Sequence, residues 1–476
     1  MSLADALALS ALDQAQAIRR GELGSEELAR GYLERIGRAN ARLSAFVSVF
    51  ERGGLRAAHA KDDEAVRARR AGRQGELAPF HGVSIGVKDL NLVRGSRTRF
   101  GSAGTRLPLA PMDDKTTAQL RRGGFVLLGK LATSEVGAMP VTEPDIHAPT
   151  RNPWDLEHTS GGSSGGSGTA VAAGLLPIAQ GSDGAGSIRI PSSFCHLFGF
   201  KPSRGRVANA FGFRDQSILY TDGPMAHSVA DAAALLDVMA GETVGKRHWA
   251  PPPSARFGEL AEQPPKRLRV RVARATSLAP IDPEIADAVE QVVRALTGLG
   301  HDVEEGALVD ADLQEFLPLW QHQIATMPLM DWHRVQPITR WLYEGGRHLR
   351  EGDMQALQRD LELRVERWFG AGVDLWVMPT VPRLPPRVGE FRVAEGGDPA
   401  EAFQRAAVLG AFTAPFNICG YPAASYPAAV STGGLPIGVQ LAGRAYADAT
   451  VLAVARSLEH VLPHAGRRAA FERGLD

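Results

Sequence analysis

Between Gly161 and Pro191 the chain reads Gly161-Gly162-Ser163-Ser164-Gly165-Gly166, then Ser167-Gly168-Thr169-Ala170-Val171-Ala172-Ala173-Gly174, then Leu176 to Gln180, then Gly181-Ser182-Asp183-Gly184-Ala185-Gly186-Ser187-Ile188-Arg189. Composition alone would make the first cluster a flexible linker. Its setting argues for a built loop instead. The small residues from Ser167 to Gly174 suit a short helix that packs closely, Leu176 to Gln180 reads as a strand, and Pro191 suits the first turn of a second helix. A glycine loop opening onto a helix N-terminus collects unpaired backbone N–H groups and favours anionic or oxyanion character nearby. A phosphate cradle is the competing reading, but a nucleotide phosphate loop is not expected, because no Gly-Lys-Ser/Thr ending follows.

The same alternation extends outward. Val83 to Val87 and Phe125 to Gly129 are short apolar strands between turns and helices, so residues 80–239 predict an α/β sheet covered by helices. Residues 3–70 carry helical periodicity, with Leu28, Tyr32, Leu33 and Ile36 on one face and Ser25 placed to cap the turn at Glu26-Glu27. Val229 to Met239 is a helix by composition, stopped at Gly241. A proline-rich connection follows over 241–265. Beyond it, Leu268 to Val272 reads as a strand and Pro283 to Leu299 as an amphipathic helix. Residues 310–370 are mostly helical and hold Trp320, Trp332, Trp341 and Trp368. Aromatics at helical spacing usually belong to a core, yet this weakly patterned block is also where walls specific to a substrate would sit. A strand at Asp374 to Met378 and a strand pair at Ala424 to Ala429 and Ile437 to Leu441 complete the pattern. One domain over 1–476 is expected, with a helical layer (1–75), a catalytic core (76–241) and a variable helical wall (310–370).

Composition narrows the function classes. Across 476 residues, Lys plus Arg and Asp plus Glu both number 53, so nothing in the charge balance favours nucleic acid or an anionic membrane. The two cysteines, Cys195 and Cys419, are too few for a disulfide scaffold and fit a reducing cytosol as free, buried thiols. No secretory signal and no spanning segment of about 18 apolar residues is visible, so a cytoplasmic location is expected, with no membrane partner. Thirteen histidines are scattered, and no Cys-x-x-Cys spacing occurs. No metal and no cofactor is therefore expected.

Without a histidine triad, the chemistry-bearing residues are two serines and a lysine. In Val83-Ser84-Ile85-Gly86-Val87-Lys88-Asp89, period-2 alternation puts Lys88 opposite the apolar face, at the strand end. Two readings stay open: an exposed lysine paired with Asp89 in a turn, or a general base whose pKa burial brings toward neutrality. Ser187 follows Gly184-Ala185-Gly186, where little side chain blocks a substrate carbonyl from backbone donors, as an oxyanion hole requires. The alternative is a structural glycine turn. Asp183 and Arg189 are spaced to pair across it. His158 and His196 stand near in sequence, but no motif aims either at a serine.

These segments resemble the amidase signature enzymes. The resemblance rests on Gly82 to Asp89, Thr150 to Asp155, Gly161 to Gly166, Asp183 to Pro191 and Gly199 to Arg206. It extends through Gly223 to Ala226 with Asp231, Met378 to Thr380, Phe412 to Asn417 and Gly434 to Gln440, and so covers nearly the whole chain. It implies a large, mixed, twisted sheet between helical layers. It also implies a Ser–cis-Ser–Lys triad in which Ser187 is the nucleophile, Ser163 the bridging serine on a cis peptide and Lys88 the base, with Ser164 in support. Gly184, Ala185, Gly186 and Ser187 would supply the oxyanion hole. Gly184-Ala185 departs from the family's usual Asp-Thr-Gly-Gly-Ser and removes a threonine hydroxyl. Ile190 stands where the glutaminase component of tRNA-dependent amidotransferases usually has glutamine, which favours a free-standing amidase over that alternative. The expected substrates are linear aryl or alkyl amides, with ester and carbamate (urethane) cleavage by the same acyl-enzyme, in a monomer or homodimer. Met139, Phe194, Arg206, Trp320 and Met327 are candidate substrate-wall residues.

Overall fold

The computed structural model describes residues 1–105, 107–208, 219–241, 249–310 and 312–464, together with 469, 471 and 474. Residues 242–248 of the proline-rich connection lie outside the described residues. Eleven strands form one sheet: β1 (Phe46–Val49), β2 (Ser84–Lys88), β3 (Val126–Leu131), β4 (Ile178–Asp183), β5 (Phe198–Lys201), β6 (Thr221–Ala226), β7 (Arg269–Val272), β8 (Asp302–Glu305), β9 (Leu375–Pro379), β10 (Ala423–Val430) and β11 (Pro436–Gly443). Their order is β1-β3-β2-β4-β6-β5-β10-β11-β9-β7-β8. Parallel pairing of β2 with β3 and β4, and of β7 with β8 and β9, flanks antiparallel pairing that runs from β4 through β6, β5, β10 and β11 to β9, so the sheet is mixed, as expected.

Both faces are covered, which is why the central strands are apolar on both sides. Val83, Ile85 and Val87 pack with Leu120, Leu127 and Leu236 on one face. Val126, Leu128 and Ala179 join Leu28, Tyr32 and Ile36 of the Ser25–Leu43 helix on the other. The short helix predicted after the first glycine cluster spans Gly165–Ala172 and is buried throughout. Its close approach requires Gly166, where a Cβ would come within 2.6 Å of the Ala45 carbonyl oxygen and 2.7 Å of that of Ala132.

Two local readings change. Ser25 is not the cap of its helix: Gly24 takes that position, and the Asp62 carboxylate accepts from the N–H groups of Ser25 (2.7 Å) and Glu26 (2.9 Å). The Ser25 hydroxyl instead donates to the Gly82 carbonyl at 2.7 Å. Strand β1, within the layer read as helical, pairs antiparallel with β3. Between β8 and β9 the chain forms helices Leu313–Ala325, Pro337–Gly346 and Glu351–Phe369, whose apolar faces build a third core cluster around Trp320, Leu361 and Val365. Cys195 and Cys419 are both free and buried, and burial pushes the Cys419 thiol up to about 12.

Candidate active site

Parallel β2 and β4 end side by side, so Lys88 and Asp183 emerge at the same edge of the sheet. Lys88 is fully buried. Its Nζ lies 2.7 Å from Ser163 Oγ, 2.8 Å from Ser164 Oγ and 2.9 Å from Ser182 Oγ. The Gly162–Ser163 peptide is cis. Ser164, at the N-cap of the Gly165–Ala172 helix, does not cap it with its side chain; its hydroxyl donates to the Ser182 carbonyl at 3.1 Å. Burial lowers the Lys88 pKa to about 7, against the opposing charges of Asp222 and Asp183. Asp89 is not its partner: that carboxylate sits 2.9 Å from Lys130 Nζ, both groups buried.

Ser187 lies on the turn between β4 and the Arg189–Cys195 helix. The turn is held by Asp183, which accepts from the N–H groups of Gly186 (2.7 Å) and Ile188 (3.1 Å) and from Arg189 Nε and Nη2, each at 2.9 Å. Burial works to raise the Asp183 pKa, but the Arg189 charge and these bonds outweigh it and hold the carboxyl well below the usual range. Arg189 reaches on to the Thr413 carbonyl (2.9 Å), Gln440 Oε1 (2.7 Å) and Asn417 Oδ1 (2.5 Å). Gly186 is thus removed from the expected oxyanion donors, because its N–H already serves Asp183. Its φ of +130° and the position of Thr413 against its α-carbon leave no room for a side chain. Thr413 Oγ1 donates to the Ala185 carbonyl at 2.6 Å.

Two cavities meet at Ser187. The larger, about 950 Å³, is lined by Met139, Ala185, Ser187, Phe316, Trp320 and Phe403 among others, with Asp310, Glu315 and Arg364 also contributing. The smaller, about 420 Å³, is lined by Ser163, Ser182, Gly184, Ser187, Tyr220, Trp320 and Met327 among others. Trp320 belongs to both walls and is fixed by a 3.2 Å bond from its Nε1 to the Ala138 carbonyl. Of the candidate wall residues, Met139, Trp320 and Met327 are therefore brought to the site, while Phe194 and Arg206 line neither cavity. Phe194 is buried beneath Gly161, where a Cβ would be 3.0 Å from its ring. Arg206 pairs with buried Asp448 at 3.1 Å and covers the Phe257 ring.

Sequence reasoning missed Ser182, although it stands in the quoted cluster; its alternation with Asp183 on β4 was the available signal. It also missed the roles of Thr413, Asn417 and Gln440, which converge on Arg189 from the far end of the chain. No group of three or more His, Cys, Asp or Glu side chains able to hold a metal occurs among the described residues. Nor is any described helix long and apolar enough to cross a membrane.

Comparison with known proteins places the chain in a family. The Amidase family model matches residues 27–327 and 330–452. A putative amidase of Synechocystis sp. is 37% identical over 472 residues, covering 97% of this chain and 90% of the relative. The 6-aminohexanoate-cyclic-dimer hydrolase of Pseudomonas sp. strain NK87 is 36% identical over 500 residues, covering 96% and 95%. A solved structure of 6-aminohexanoate cyclic dimer hydrolase complexed with substrate superposes with a TM-score of 0.86 at 32% identity, covering 98% of this chain and 99% of that one. The chain belongs to the amidase signature family and is a hydrolase of carbon–nitrogen bonds.

Proposed function

We propose that the protein is a free-standing serine amidohydrolase that opens linear amides through an acyl-enzyme on Ser187. The observation that carries this reading is a buried lysine, brought near neutrality, in contact with Ser163, which shares a cavity with Ser187. Neutral Lys88 takes the Ser163 proton while Ser163 takes that of Ser187, whose oxygen attacks the carbonyl carbon. Backbone donors of Gly184, Ala185 and Ser187 hold the developing oxyanion. The proton then returns through Ser163 to the leaving nitrogen, and water releases the acyl group by the same relay.

That return path orients the substrate. Ser163 lines the smaller cavity and not the larger, so the leaving amine belongs in the smaller one and the acyl group in the apolar chamber. Aryl or medium alkyl acyl groups with compact amines fit best. Esters and carbamates follow, because the acyl-enzyme needs only a carbonyl and a protonable leaving group. A cyclic amide, such as the relative's name specifies, would have to span both sides of Trp320 at once. The test is a panel of anilides, alkyl amides, p-nitrophenyl esters and aryl carbamates, with the trapped acyl group mapped by mass. Label on Ser187 is expected; turnover with the label elsewhere overturns the assignment.

A further inference from the structure

The lysine is tethered at both its backbone and its side chain by one closed ring of buried polar groups. Lys88 N–H donates to Gln180 Oε1 at 3.0 Å. A backbone N–H can only donate, so this bond fixes the Gln180 amide, whose Nε2 donates to Asn91 Oδ1 at 3.2 Å. Asn91 Nδ2 must then donate to Asp222 Oδ2, 3.2 Å away. Asp222 also takes the hydroxyls of Thr116 (2.6 Å) and Tyr220 (2.6 Å). Three donors on one buried carboxyl group call for the ionised, acceptor-only form. Ser182 is the side-chain hydrogen-bonding neighbour of Tyr220, and Ser182 Oγ lies 2.9 Å from Lys88 Nζ, which closes the ring.

The proton directions follow from this inventory. With the Tyr220 proton committed to Asp222, the phenol oxygen accepts from Ser182, so Ser182 has no proton left for Lys88. Ser164 has none either, because its hydroxyl donates to the Ser182 carbonyl. A neutral amine offers two N–H donors and one lone pair. The two donors go to Ser164 and Ser182, and the lone pair is left for Ser163.

We propose that Tyr220 and Asp222 are positioning residues for the lysine base, fixing the hydroxyl protons around it so that its lone pair faces Ser163 alone. This rests on the reading of Lys88 as the base. During attack, Ser163 gives its proton to Lys88 Nζ as it receives one from Ser187 Oγ, and Ser182, Tyr220 and Asp222 keep theirs unchanged. Reversing any hydroxyl in the ring would point a second proton at Nζ and turn Ser163 into an acceptor, which stalls the relay. The charged groups facing the amine, among the described residues, are Asp222 and Asp183, the latter paired with Arg189; Asp222 in turn raises the Asp114 pKa.

The experiment compares kcat, KM and the pH profile of kcat/KM for the parent, Asp222→Asn and Tyr220→Phe, with Ser187→Ala and Lys88→Ala as references. Asp222 lines neither cavity, so Asp222→Asn should leave KM unchanged and lower kcat by ~10- to 100-fold. Its acid limb should also move to lower pH by about one unit, because a negative charge near the ammonium is gone. Tyr220→Phe keeps the ring's shape if the first variant folds poorly, and should likewise lower kcat. Parental kcat and acid limb in either folded variant overturn the proposal. So does a fall in kcat that tracks lost thermal stability while the limb of Asp222→Asn stays in place. If Ser187→Ala or Lys88→Ala keeps full turnover, it is the amidohydrolase mechanism itself that fails.

Discussion

Arg189 meets Asp183 through two parallel bonds of 2.9 Å, with both side chains fully withdrawn from solvent. The pair is closed off by Asn417, whose Nδ2 donates to Asp183 Oδ1 at 2.9 Å. Removing one member of such a pair strands the other charge, which costs about 3–5 kcal/mol. Arg189→Met should therefore lower the urea midpoint of unfolding sharply. It should also loosen the Ser187 turn enough to abolish labelling by an activated ester at temperatures where the fold survives. An unchanged midpoint would show that the pair holds nothing.

The pH–rate profile should carry an acid limb near 7, since the base must be neutral and burial brings Lys88 to about 7. Activity rises as pH climbs through that value. Lys88→Ala removes both the limb and all but a small fraction of kcat, a loss of at least ~10²-fold. Stopped-flow acylation with a p-nitrophenyl ester reads this before deacylation intervenes.

A Cβ at position 184 would sit 3.3 Å from the Trp320 ring, so the loop and the cavity wall are in direct register. Gly184→Thr should push the indole into the larger chamber and raise KM for bulky aryl amides about tenfold, with less effect on small ones. Pairing it with Trp320→Ala should return KM toward the value of Trp320→Ala alone. Additive effects in this double-mutant cycle would separate the two sites.

Lys201 is a second buried lysine, lowered to about 7 by burial and by the Arg189 charge; its Nζ donates to the Pro202 carbonyl at 3.0 Å. The unfolded chain binds that proton up to the ordinary lysine range, so the destabilisation is complete below about 7 and fades as pH rises toward 10.5. Lys201→Met should therefore raise the melting temperature more at pH 6 than at pH 10. Equal gains at both would place the effect in packing alone.

Much of this molecule was legible because its periodicities are strong. The Val229–Met239 helix has the bounds its composition predicts, and the β10–β11 pair differs from expectation only at its ends. The strand read over Leu268 to Val272 forms over Arg269–Val272, with Val270 and Val272 buried and the two arginines exposed. Lys88 was legible as facing away from Val83, Ile85 and Val87, but its burial was not, because covering it requires Ser163, Ser164 and Ser182 from later segments. Strand β1 was hidden by brevity: four residues between two long helices carry too little period-2 signal. Ser25 obeyed the local capping preference, yet Asp62 from another helix competed better for the same N–H groups. Asp222 and Tyr220 could not be read as partners of Lys88 at all, since only the β4–β6 pairing brings them alongside.

The segment between β8 and β9 supplies Phe316, Trp320, Leu361 and Val365 to the chamber and none of Lys88, Ser163, Asp183, Ser187 or Arg189. A large part of the chamber wall is thus carried on a stretch of chain separate from those residues, joined at strand ends that already pair with β7. Substitutions along 312–374 can redraw that wall without replacing Lys88, Ser163 or Ser187.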